Sequence, residues 1–185
     1  GDSSIIRPSL VLLDDPQTRE SARSADQTRK RLDLLRGDVM GMAGPGETIS
    51  ALLTGTVMYE DDLVDTLLDK EKSPEWDSER TKLVYAWPTR QDLWDRYAEV
   101  KRTEGRVTAT AMYAERRAEM DAGAVIAWPE RFNHDELSAV QHAMNLRLQN
   151  EAAFFAEYQN EPLPEVEVAD DLLSADQIAA KVNGH

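Results

Sequence analysis

Leu10-Val11-Leu12-Leu13-Asp14-Asp15-Pro16 is the stretch on which the fold turns. A strand with one wet face alternates apolar and polar residues. An unbroken aliphatic run instead fits a strand buried on both sides of a parallel sheet. The two acids then fall at the strand's carboxyl tip, the edge where open α/β sheets bind their ligands. An apolar strand followed by paired acids is the Walker B pattern. The first carboxylate can hold Mg²⁺, directly or through water. The second can orient or deprotonate an attacking water. Asp also favours turns, so an ordinary strand end is the competing reading of this motif taken alone.

Downstream, residues 24–38 carry helical spacing, with Leu32, Leu35 and Val39 on one face. Gly41, Gly44, Pro45 and Gly46 form a turn cluster. It is no phosphate loop, because Gly-Lys-Ser/Thr is missing and the glycines precede a strand. A second apolar run at 48–53 ends in Thr54-Gly55-Thr56, whose hydroxyls could sense a γ-phosphate. Residues 60–70 read as an acidic-started amphipathic helix and 81–86 as a third strand. Right-handed crossovers predict that these strands run parallel, the first two as neighbours.

Beyond residue 90 the pattern turns helical: 91–102, 108–121, 135–145 with Asn133 as N-cap, and 150–159, with Gly105 breaking the first pair. Trp128-Pro129-Glu130-Arg131-Phe132 is a rigid aromatic connection, 161–171 an acidic linker and 174–182 a last short helix. The expectation is an α/β parallel-sheet unit followed by a helical extension, divided at 1–88, 89–160 and 161–185.

Composition narrows the function. Among 185 residues, 35 acids against 21 Lys and Arg give a net charge of −14, which opposes a broad phosphate-gripping surface. Carboxylates near Mg²⁺ are compatible with that charge. The absence of Cys excludes disulfides and thiolate chemistry. His134, His142 and His185 lack metal-ligand spacing, and the first two are expected to face solvent. Asp170-Asp171 follows no apolar strand and reads as solvated charge, and the four Trp read as packing residues. No apolar run approaches the roughly 20 residues of a membrane span. Gly1-Asp2-Ser3-Ser4, with a strand starting soon after, reads as a cut inside a longer protein.

Four blocks in order, LVLLDDPQ, LLTGTVMYEDDLVDTLL, AWPERF and FFAEYQNEPLP, resemble the motif set of phage terminase large subunits, over nearly the whole chain. The resemblance implies an ASCE-type P-loop NTPase half-domain that binds ATP and Mg²⁺. It makes Asp14 the Mg²⁺-associated acid, Asp15 the catalytic acid, and Thr54, Gly55 and Thr56 the coupling motif. Asp15 departs from the Glu usual in the family. The last two blocks imply the approach to a nuclease domain. Walker A is expected upstream of Gly1 and the nuclease beyond His185, leaving half an ATP site here. The implied partners are double-stranded viral DNA, the portal protein, the terminase small subunit and further copies in the working motor, in host cytoplasm on the procapsid. A helicase or other translocase shares the ATPase sheet, and an acidic protein-binding module explains Asp14 and Asp15 as turn residues.

Overall fold

The computed structural model describes residues 7–164. The expected helix at 174–182, most of the linker, His185 and Asp170-Asp171 lie outside the described residues. Strand β1 (Leu10–Asp14) and strand β2 (Ser50–Thr54) pair in parallel, Leu10 against Ser50 through Asp14 against Thr54. Between them run α1 (Arg19–Ala22) and α2 (Ala25–Asp33), each opened by a hydroxyl cap, Thr18 and Ser24. The single helix expected over 24–38 is shorter. It widens into a π turn at Leu34–Val39 and a 3-10 turn at Met40–Ala43. Gly37, a poor helix former, lies inside the widened turn. Helix α3 (Leu63–Leu68) follows β2.

The inner face of β1–β2 presents Leu13 and Leu53 to a core of Leu35, Leu63 and Leu67, flanked by Leu32, Val39 and Trp76. The outer face is bare: Leu10, Leu12 and Leu52 are 54%, 68% and 58% exposed. The aliphatic run predicts burial on both sides. Within the described residues one layer is present.

The third strand departs from expectation. β3 (Val84–Ala86) does not join β1 and β2. It pairs antiparallel with β4 (Val125–Ile126) in a separate two-stranded sheet. Its attachment is aromatic. Val84 packs with Ala143 and Phe154 beside Trp87, Phe155 and Tyr158, so burying those rings places the strand against the helical part. Gln159 completes the anchor, donating Nε2–H to the Val84 carbonyl and accepting the Val84 N–H.

Helices α4 (Gln91–Thr103) and α5 (Arg106–Met120) form an antiparallel hairpin. Gly105 turns it with φ 93°, a left-handed value that costs glycine nothing. Between them lie Leu93, Trp94, Tyr97, Val100, Ala109, Tyr113 and Met120. Trp94 stands at ring-centroid distances of 5.3 Å from Tyr97 and 5.4 Å from Tyr113, and its indole N–H donates to the Met120 carbonyl. Helix α6 (Ala139–Gln149) starts later than expected, capped by Ser138 instead of Asn133. Residues 133–136 close a turn in which Glu136 N–H donates to Asn133 C=O. Helix α7 (Glu151–Glu157) takes Asn150 as cap. No helix of the described residues is long and apolar enough to cross a membrane.

Candidate functional site at the parallel strand ends

The parallel register carries the acids and the threonines to one edge. Thr54 Oγ1–H donates to Asp14 Oδ1 at 2.8 Å, and Asp15 N–H donates to the Thr54 carbonyl at 2.8 Å, extending the ladder past the strand. Asp15 takes φ 44°, a left-handed conformation that Asp tolerates better than most residues. It turns the chain sharply after the ladder. Asp14, Asp15, Thr54 and Gly55 are all exposed.

Gly55 is fixed by contact: a Cβ there would stand 2.7 Å from Cγ2 of Val64 on α3. The helix lies flush on the loop, and only a residue without a side chain lets it do so. Thr56 sits farther along and is held by its carbonyl, which accepts Gln17 Nε2–H at 2.9 Å. The structure thus joins Asp14 directly to Thr54 and ties the Thr56 backbone to the loop that follows Asp15.

Two buried residues do most of this holding, and neither stands among the acids and threonines that the sequence singles out. Asp62 is fully buried. Its Oδ2 accepts N–H from Met58 and Tyr59 and from the Gln17 amide, while Oδ1 caps α3 at Asp65 N–H. Gln17 is 4% exposed; its Oε1 accepts Leu63 N–H, one of the orphan donors of the first helical turn. An acid just before Leu63-Val64 is a legible cap signal. For Gln17 only its place after Asp-Asp-Pro points to the site.

Asn160, with φ 52°, reaches the same loop from the far end of α7. Its Oδ1 accepts Val57 N–H and its Nδ2–H donates to the Thr81 carbonyl. Arg80 bonds the Asn160 carbonyl and pairs with Asp65 on α3 at 2.5 Å. A cavity of about 370 Å³ opens along β2 beside these residues, bounded by Leu53, Gly55, Val64, Trp76 and Arg80.

A second polar cluster lies within the helical part. His142 is buried, contrary to the exposure expected of it. Its Nδ1 meets Glu136 Oε2 at 2.7 Å. Glu136 also accepts Asn133 N–H and Asn145 Nδ2–H, while Asn145 Oδ1 accepts Tyr97 O–H and Lys101 Nζ–H. Burial pushes the Glu136 carboxyl up, but the donors around it outweigh that and hold it below the usual range. Desolvation lowers Lys101. Among the described residues no fully buried side-chain N or O lacks a hydrogen-bond partner, and the cluster braces α4 against α6. His134 is exposed as expected.

Asp14 and Thr54, joined at the strand ends, with exposed Asp15 next in the chain, offer oxygen donors only, which suit a hard cation such as Mg²⁺. Among the described residues no group of three or more His, Cys, Asp or Glu converges on one point. One or two carboxylates suffice where phosphate oxygens and water supply the remaining Mg²⁺ ligands, so the donor set fits a metal–nucleotide complex. No family model, curated protein or solved structure matches the chain.

Proposed function

We propose that this chain is the Walker B half of the ATPase of a phage terminase large subunit, part of the motor that packages double-stranded viral DNA. One observation carries the reading. Two parallel strands deliver Asp14 and Thr54 to a shared hydrogen bond at the carboxyl edge, with Asp15 directly after. The binding-module alternative expects Asp14 and Asp15 to be exposed turn residues apart from Thr54; they are exposed, and the Asp14–Thr54 hydrogen bond is what favours the ATPase reading.

In this reading Asp14 holds water or Mg²⁺ with the oxygen left free by Thr54. Mg²⁺ held there would supply positive charge against the charge that builds on the phosphates. Asp15, exposed at the turn, accepts a hydrogen bond from the attacking water and takes its proton. The Thr54 hydroxyl, which donates to Asp14, would change partner when the γ-phosphate leaves, with Gly55 and Thr56 completing the coupling motif. The phosphate-cradling loop, portal protein, terminase small subunit and further copies of the motor belong to the same proposal, as does a working location on the procapsid in host cytoplasm.

The test is Asp15→Asn in the full-length polypeptide that carries this chain. Its DNA-stimulated ATP hydrolysis should fall by roughly 10²–10⁴ while nucleotide binding persists. Wild-type turnover in that variant would sink the assignment. The 185-residue chain itself should not turn over ATP, because Gly-Lys-Ser/Thr occurs nowhere in it.

A further inference from the structure

We infer that Gln17 is a positioning residue for the strand-end site. Its carboxamide bridges the loop after Asp15 and the loop after Thr54, so that the two change position together. The inference rests on the ATPase reading of that site for its functional meaning, and on geometry alone for its structural content.

The loops need a bridge. Beyond the Asp15–Thr54 hydrogen bond the ladder ends, and the chains diverge into Pro16-Gln17 on one side and Gly55-Thr56 on the other. Asp14 and Asp15 are both exposed, and Thr54 is the side chain that holds Asp14. Gln17 is the nearest buried side chain after them. It makes three hydrogen bonds to the opposite loop: Nε2–H to the Thr56 carbonyl at 2.9 Å, Nε2–H to Asp62 Oδ2 at 2.8 Å, and Oε1 from Leu63 N–H at 3.1 Å. These bonds use both amide protons and the amide oxygen, which only Asn or Gln can supply at one position. Asn is shorter by one methylene. Asp62 in turn fixes the backbone of Met58 and Tyr59, so the whole loop from Thr56 to Leu63 is registered to residue 17. A displacement of Thr54 or Thr56 at one tip therefore reaches Asp15 through the carboxamide as well as through the strand.

Gln17→Met keeps length and apolar volume and removes all three hydrogen bonds. Gln17→Glu keeps one acceptor. As a carboxylate it cannot donate to the Thr56 carbonyl and repels Asp62, and only in its neutral form does it regain a donor. The first measurement uses the 185-residue chain and needs no ATPase assumption: amide hydrogen exchange at Asp15, below the melting temperature of each variant. Gln17→Met should exchange at Asp15 about tenfold faster while amides of α4 and α5 stay as in the wild type. Asp15 exchange unchanged in both variants overturns the inference, as does faster exchange spread equally over α4 and α5.

The second measurement uses the full-length polypeptide with Asp15→Asn as control. With that control inactive, Gln17→Met should lower kcat for ATP about tenfold or more with KM within twofold. Gln17→Glu should approach the wild-type rate at pH 6 more closely than at pH 8. Unchanged kcat, or a parallel loss in kcat and KM with no pH-dependent recovery, overturns it. An active Asp15→Asn control removes the ATPase reading instead, and the exchange result at Asp15 then stands or falls by itself.

Discussion

The strand pair and the helical hairpin are built to different standards of completeness. α4 and α5 enclose Trp94, Tyr97, Tyr113 and Met120, each 2% exposed or less, with their polar atoms matched. β1 and β2 bury one face on a small aliphatic core and leave three leucines on the other in water. A parallel sheet ordinarily has both faces covered. The comparison teaches that the hairpin holds itself by packing, whereas the strand pair depends on hydrogen bonds: its own ladder, the Thr54–Asp14 contact, and the Gln17–Asp62 clasp.

The largest break should come from Trp94→Ala. It removes the indole at the centre of the hairpin and the donor to Met120. A loss of about 3–5 kcal/mol is expected. Chemical denaturation followed by far-UV circular dichroism should show the midpoint collapse. A small shift would show that the strand pair carries more of the stability than its packing warrants.

Gly55→Ala attacks the other region. The new methyl meets Val64, so α3 must shift, at about 1–3 kcal/mol. Thermal melting should register that cost. Chemical shifts of α4 and α5 should stay fixed if the regions are as independent as their cores.

Acid separates the two regions more gently. Glu136 has its carboxyl below the ordinary value of 4.5, so it binds its proton less readily folded than unfolded. Its stabilisation is fully present above pH 4.5 and is lost as pH falls through the folded-state value. Glu136→Gln should flatten the acid limb of a stability–pH curve, with an effect of about 1 kcal/mol. An unchanged limb would show that Glu136 does not contribute to the acid sensitivity.

The smallest effect belongs to the bare face. Leu12→Ser should alter stability of this chain by no more than about 0.5 kcal/mol, because a side chain two-thirds exposed has little burial to lose. A larger loss, read by denaturant titration, would mean that the outer leucines are covered in solution.

The strand-end geometry was legible because it is encoded locally. An unbroken aliphatic run followed by acids specifies strand, direction and tip, and Leu10–Asp14 and Ser50–Thr54 lie within one or two residues of the expected spans. The partner of the third run was not legible. Residues 81–86 have strand character, but it is Phe154, Tyr158 and Gln159, some 75 positions away, that set which sheet they enter. His142 failed for the same reason. Its neighbours in sequence are mixed, and its burial depends on Glu136 closing a turn that displaces the helix start to Ala139. Gln17 was invisible because a lone glutamine carries no pattern, and its worth arises from three acceptors and donors 39–46 positions downstream.

Asn160 makes the two regions mechanically continuous. It is the joint through which the chain leaving α7 grips both Val57 and Thr81. Tension on the backbone past this residue would be borne first by the Val57 hydrogen bond and by Arg80, whose other hand holds α3. The lever arm from that joint to Thr54 is three residues long. A shift at the end of the helical part too small to break the Val57 hydrogen bond would be passed toward the strand tips, and a hinge placed before Asn160 would absorb it.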